Sequence, residues 1–242
     1  MVFVRSLAYF LVMALSIVVY SIPMVLVGWA MTPMGLAALG AQWARVNLSA
    51  LRIICGLDYR VTGAENLPST NAIVLCKHQS TWETIALLAL LPRPQTWVVK
   101  QELLRVPVFG WSLAQFKPIA LDRSAGRKAM RQLLEQGAHA LEQGRWIILF
   151  PEGTRVAAGE QGRYGQGGAM LAERTGFAVV PVAHNAGVFW ARRGLHKYPG
   201  VIDVVIGSPI ATQGRRAQDI HREVEDWIEA RVAELPGPGV RA

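Results

Sequence analysis

No charged side chain occurs between Arg5 and Arg45. The run SLAYFLVMALSIVVYSIPMVLVGWAM continues into TPMGLAALGAQWA. A helix needs about 20 apolar residues to cross a bilayer, so this stretch is long enough for nearly two passes. Pro23 and Pro33 interrupt it, with Gly28 and Trp29 between them. A cleavable leader fits poorly, because the apolar region far exceeds ~15 residues and lacks a small-residue cleavage site. Two arrangements stay open: one span followed by an interfacial helix, or a helical hairpin dipping into one leaflet. Arg45, Arg52 and Arg60 follow closely. The bias of cationic residues toward the cytoplasmic side places the rest of the chain in the cytoplasm, at the inner membrane. Residues 1–56 are therefore expected to be a membrane-anchoring helical segment.

Composition supports that expectation. Of 242 residues, 52% are hydrophobic and 17% charged, and the mean hydropathy is +0.26. This is greasier than a typical soluble enzyme and more polar than a polytopic transporter. The formal net charge is +8 and the pI about 10.0. Nucleic acid and anionic lipid would both suit such a charge. With no Lys/Arg-rich run and no interleaved aromatic stripe, lipid is favoured and no nucleic acid is expected. Cys55 and Cys76, the two cysteines, form neither a disulfide framework nor a metal-ligand spacing. They read as reduced, mostly buried thiols.

From residue 57 short strands alternate with helices. LDYRVTG and NAIVLCKH read as strands, the continuously apolar AIVLC as one covered on both faces. TWVVKQ, KPIALDR, RWIILF, FAVVPVAHN and VIDVVIGSPI are further strands. WETIALLALL reads as a helix stopped by Pro92. SAGRKAMRQLLEQGAHALEQG reads as an amphipathic helix with Ser124 as its cap and Gly144 beyond its end. RRAQDIHREVEDWIEARVAEL closes the chain as a charged amphipathic helix. The alternation predicts an α/β fold over 57–234, a mixed sheet flanked by helices, with a flexible tail at 235–242.

Two short motifs carry chemistry. In KHQSTWETI, His78 and Glu83 lie five positions apart. On a helix they would sit roughly 140° apart, so they can meet only if the backbone turns between them. The strand ending at His78 and the helix starting near Ser80 or Thr81 supply that turn. Ser80 to Glu83 also matches a capping box, in which Glu83 reaches back to the first turn. Alternatively Glu83, ionised at a helix N-terminus, bonds one nitrogen of His78 and leaves the other as a base. The second motif, FPEGTR at 150–155, follows a strand. Its glycine-containing turn exposes backbone N–H groups, and Arg155 adds a fork suited to phosphate.

Together these motifs resemble the glycerophospholipid acyltransferase family, whose signature is His, four residues, an acid, and downstream Glu-Gly-Thr-Arg. HQSTWE and FPEGTR match it at His78, Glu83 and Glu152 through Arg155. FKPIALDR, with Arg123, resembles the intermediate block, and VVPVAHNAG matches the late block at Val180, Pro181 and Val182. The family's acid is most often aspartate; Glu83, one methylene longer, can still accept an imidazole N–H.

The resemblance implies an acyl chain moving from acyl-CoA or acyl carrier protein to the sn-2 hydroxyl of 1-acyl-sn-glycerol-3-phosphate, giving phosphatidic acid. Another lysolipid acceptor, such as a lyso-aminolipid, would use the same machinery. His78 is the implied base and Glu83 its partner. Arg123 and Arg155 would hold the phosphate, and Glu152, Gly153 and Thr154 would shape the acceptor pocket. Lys100 reads either as a residue reaching the same pocket or the oxyanion, or as a solvated strand-end lysine. No cofactor and no metal is implied; the partners are a lysophospholipid, an acyl donor and membrane lipids. His184 reads as a pocket or core histidine. RYGQGGAML lacks the lysine of a phosphate-binding loop. A thiol-dependent lipase through Cys76 and a non-catalytic membrane-binding protein are the readings from other classes.

Overall fold

The structure, a computed structural model, describes residues 1–237 apart from the side chain of Arg123. Residues 238–242 of the expected tail lie outside the described residues.

The uncharged segment forms a helical hairpin. Helix α1 spans Val2–Val27 and carries Pro23 inside it; a single 3₁₀ turn, Gly28–Ala30, reverses the chain. Helix α2, Pro33–Cys55, begins where the Thr32 hydroxyl accepts the Gly35 N–H and Pro33 occupies the first turn, which has no use for a proline N–H. The hairpin closes through polar groups at buried positions. Ser16 Oγ accepts from Trp43 Nε1 and Asn47 Nδ2, each at 3.0 Å. The opposite face of α1 presents Phe10, Leu11, Leu15, Val19 and Ile22 outward. Val2–Ala30 is long and apolar enough to cross a membrane.

The remaining chain builds a seven-stranded sheet in the order β1-β7-β6-β2-β5-β3-β4. The strands are β1 Leu57–Thr62, β2 Ile73–Cys76, β3 Gln95–Lys100, β4 Ile119–Leu121, β5 Trp146–Leu149, β6 Val179–His184 and β7 Gly200–Ile206. Every pairing is parallel except β6 with β7, so β1 and β7 run against the other strands. Helices α3 (Trp82–Leu90), α4 (Phe109–Gln115), α5 (Arg127–Glu142), α6 (Gly167–Thr175), α7 (Ala186–Phe189) and α8 (Ala217–Glu234) complete the fold. This is the mixed sheet flanked by helices that the sequence predicts.

The alternation of side chains along β2 organises the core. Ile73 and Leu75 face a layer containing Leu133, Leu171, Val224 and Ile228 from α5, α6 and α8. Val74 and Cys76 face the other layer, with Leu48 and Leu51 of α2 and Trp82 and Ile85 of α3. Helix α2 therefore contributes to the core of the sheet as well as to the hairpin. One sequence expectation is corrected: Ser124 does not cap α5. It sits in a 3₁₀ turn, Arg123–Ala125, held by the Asp122 carboxylate, and α5 starts at Arg127 after Gly126. Asp122 offers a charged acceptor to the Ser124 N–H and hydroxyl, which uses the turn before the helix can begin.

Candidate active site

Strand β2 continues its ladder one residue beyond Cys76: the Lys77 N–H donates to Val182 O at 3.0 Å. Parity then decides two directions. Lys77 follows Ile73 and Leu75 toward α8, and His78 follows Val74 and Cys76 toward α3.

His78 is fixed at four points. Its N–H donates to Glu152 Oε2 at 2.8 Å, and its carbonyl accepts from Val156 N–H at 2.8 Å. Its ring stacks on Phe150 with centroids 4.0 Å apart. Nδ1 lies 2.8 Å from Glu83 Oε1. Among the described residues Nε2 has no hydrogen-bond partner.

Glu83 sits in the first turn of α3 and is fully buried. Its Oε1 also accepts the N–H groups of Gln79 at 2.8 Å and Ser80 at 2.7 Å. The capping role and the histidine contact are thus filled by one oxygen. Burial alone would push the carboxyl pKa upward; the charge His184 takes on when it is protonated in acid, and the N–H donors of His78 and Ser80, outweigh it and hold the group below its ordinary range. Oε2 is buried, has no hydrogen bond among the described residues, and lies 3.9 Å from His184 Nε2. His184 Nδ1 accepts from the Ala186 N–H and Nε2 lies 2.9 Å from Lys77 O, so Nε2 is the donor and the ring is neutral. Burial lowers its pKa, in keeping with that state.

The FPEGTR segment begins as β5 ends, next to β2, and turns at Gly153, whose φ of 65° is a conformation that suits glycine. Glu152 is turned inward. Its Oε1 accepts from Lys77 Nζ at 2.8 Å and from the Gly162 N–H at 3.2 Å. A cleft of about 410 Å³ opens beside it, lined by Pro151, Glu152, Gly153, Arg163, Tyr164, Gly165 and Gln166. Thr154 is exposed and Arg155 half-buried, its Nε enclosed without a hydrogen-bond partner among the described residues.

The structure brings His78 and Glu83 together, and Glu152 against the His78 backbone. Lys100 lies at the end of β3, exposed and paired with Glu102 at 2.9 Å. The Arg123 side chain lies outside the described residues. Cys76 is buried, and burial together with the Glu83 and Glu152 carboxylates pushes its thiol well above the ordinary range. It is a packed thiol, unsuited to nucleophilic attack. Among the described residues no group of His, Cys, Asp or Glu is placed to hold a metal ion.

A family model described as Acyltransferase matches residues 58–185, which contain every part of this site named so far from His78 to His184. The chain is also 43% identical over 197 residues to a 1-acyl-sn-glycerol-3-phosphate acyltransferase of Pseudomonas aeruginosa, covering 80% of this chain and 76% of the relative. The chain belongs to the acyltransferase family. A second acyltransferase bearing that name, from Cocos nucifera, is 28% identical over 96% of this chain and 75% of its own. The crystal structure of the 1-acyl-sn-glycerophosphate (LPA) acyltransferase PlsC from Thermotoga maritima superposes with a TM-score of 0.80. It covers 96% of this chain and 95% of its own at 23% identity, a likeness of fold.

Two features of this acyltransferase were not singled out by the sequence motifs: Phe150 as the platform for the His78 ring, and Lys77 as the partner of Glu152. A lysine continuing a strand buried on both faces was the available signal for the second, since a buried cation needs a carboxylate.

Proposed function

We propose that this acyltransferase moves an acyl chain from acyl-CoA or acyl carrier protein to the sn-2 hydroxyl of 1-acyl-sn-glycerol-3-phosphate, forming phosphatidate. The observation that carries the chemistry is the His78–Glu83 contact, which occupies Nδ1 and leaves Nε2 open. With Glu83 ionised, Nδ1 carries the proton and Nε2 the lone pair. Nε2 takes the hydroxyl proton as that oxygen attacks the thioester carbonyl; the new C–O bond forms, the C–S bond breaks, and the imidazolium returns the proton to the departing sulfur. Glu83 stabilises the transient imidazolium. No acyl-enzyme is required.

Arg155, whose buried Nε has no hydrogen-bond partner among the described residues, and Arg123 are assigned to the acceptor phosphate. Gly153 and Thr154 shape the pocket edge, and Glu152 fixes the loop that carries them. Lys100, already paired with Glu102, is assigned to the outer rim of the pocket. The choice of lysophosphatidate draws on the names of the relatives.

The enzyme works at the cytoplasmic surface of the inner membrane. Helix α1 is roughly 39 Å long at 1.5 Å per residue, yet both of its ends are tied to the catalytic domain. Near its start, Ser6 Oγ accepts from Lys197 N–H at 2.8 Å and Tyr9 packs edge-on against Trp190. Near its end, Ser21 Oγ is 2.9 Å from Ser112 Oγ of α4. A helix crossing a bilayer would carry one end away from a domain on one side. These contacts favour α1 lying in the surface plane with its outward apolar face in lipid.

The test is to offer purified protein a panel of lysolipids with both donors and to identify products by mass. Phosphatidate from lysophosphatidate is the expected product; conversion of a different lysolipid alone would overturn the acceptor assignment.

A further inference from the structure

Lys77 stands beside the proposed base but points the other way, into the protein, with none of its side chain exposed. Its Nζ donates to Glu152 Oε1 at 2.8 Å, to Glu229 Oε1 of α8 at 2.7 Å and to Glu160 O at 3.3 Å. Tyr164 Oη donates to the same Glu229 oxygen at 2.6 Å. The Glu152 side chain is also fully enclosed, whereas Glu229 keeps 20% of its side chain in solvent. An ion pair so enclosed stabilises little in net terms but is costly to break from one side, because the remaining charge is stranded.

We propose that Lys77 is a positioning residue for the acyl-transfer site. It acts through Glu152: Lys77 and the Gly162 N–H hold Oε1, and the other oxygen of that rigid carboxylate accepts the His78 N–H at 2.8 Å. One short chain of charge-assisted bonds therefore runs from α8 through Lys77 and Glu152 to the His78 backbone. It fixes the backbone from which the His78 ring must reach both Glu83 and the acceptor hydroxyl. A displacement of about 1 Å at such a centre is enough to cost rate on the order of a hundredfold. The proposal rests on the reading of His78 as the base.

The test uses the full chain in detergent micelles, with thermal unfolding as the control for folding. Lys77→Met strands Glu152. The expected result is a kcat lower by about tenfold to a hundredfold, with acceptor KM little changed. Hydrogen exchange at the His78 amide should rise by a similar factor. In Lys77→Met/Glu152→Gln no carboxylate is stranded at 152, and the glutamine carbonyl can still accept the His78 N–H. That variant should regain His78 amide protection. Glu229→Gln leaves the Lys77–Glu152 bond in place and should lower the melting temperature more than kcat.

Unchanged kcat and amide protection in folded Lys77→Met would overturn the proposal. So would a higher KM at normal kcat, which would make Lys77 a substrate contact, or a double variant whose His78 amide is no better protected than that of the single. Failure of both Lys77 variants to fold would reduce Lys77 to a structural residue, with the same consequence. Amide exchange needs no substrate, so it separates this proposal from the acceptor assignment: inactivity of wild type on lysophosphatidate would sink only the latter.

Discussion

Glu83 meets His78 through a single carboxylate oxygen, Oε1 to Nδ1 at 2.8 Å, and the same oxygen caps the turn by taking the N–H groups of Gln79 and Ser80. The shape of the helix start and the state of the imidazole are therefore set by one atom. Glu83→Gln can still accept N–H bonds there but cannot stabilise an imidazolium. Turnover should fall by roughly 10²-fold or more, while the melting temperature changes little. A fully active Glu83→Gln would leave the carboxylate with capping alone.

Glu83→Asp tests reach. The shorter arm moves the carboxylate back toward its own helix, so it cannot meet His78, Gln79 and Ser80 together without a shift of the turn. Activity between that of wild type and Glu83→Gln is expected in steady-state assays. Activity at the wild-type level would show that the turn adapts freely.

Acidification should weaken the fold through His184. Its folded pKa is depressed by burial, whereas the unfolded chain takes up a proton near the ordinary value of 6.5. The unfolded state then binds more protons as pH falls, so stability is full above pH 6.5 and declines below it. Glu83, also depressed, adds a further loss below its ordinary 4.5. Melting temperatures of wild type and His184→Asn between pH 7.5 and about 5 should show a flatter profile for the variant. Parallel profiles would remove His184 from the explanation.

The phosphate assignment separates binding from fold. Arg155→Ala should raise KM for lysophosphatidate by about ten- to a hundredfold, the worth of a charge-assisted bond, and Arg123→Ala similarly. Monoacylglycerol, which lacks the phosphate, should be a poor acceptor for wild type and no poorer for the variants. Equal losses on both acceptors would assign the arginines to the fold or the donor.

The outward face of α1 should govern membrane binding. Leu11→Lys/Leu15→Lys places charge on side chains that are mostly exposed, so folding should be retained. Cosedimentation with anionic vesicles should fall markedly. Undiminished binding would move the lipid contact elsewhere.

Much of this molecule was legible because short-range physics fixes it. Continuous apolar runs marked β2, β5 and β6, and their parallel neighbours were forced by the helices between them. The five-residue spacing of His78 and Glu83 demanded a turn, and the strand-to-helix junction provides it. Short helices escaped notice: α4 and α6 contain Gly110, Gly167 and Gly168, residues of poor helix propensity that tertiary packing overrides. Gly168 allows close approach to β2, since a Cβ would lie 2.5 Å from Leu75 Cδ2 and that core side chain would have to shift. The link from Lys77 to Glu229 spans 152 positions. Local pattern cannot pair groups so far apart; it can only say that a lysine inside a buried strand requires a partner.

The most direct measurement follows thiol release from a labelled acyl thioester in single turnover, with and without lysophosphatidate, for wild type and His78→Ala. Wild type should release thiol only with acceptor present, in step with phosphatidate, and no label should remain on the protein. His78→Ala should be slower by about 10²–10⁴-fold, and Cys76→Ser should match wild type. A fast His78→Ala enzyme, or acceptor-independent release with the label trapped at Cys76, would contradict direct transfer driven by His78.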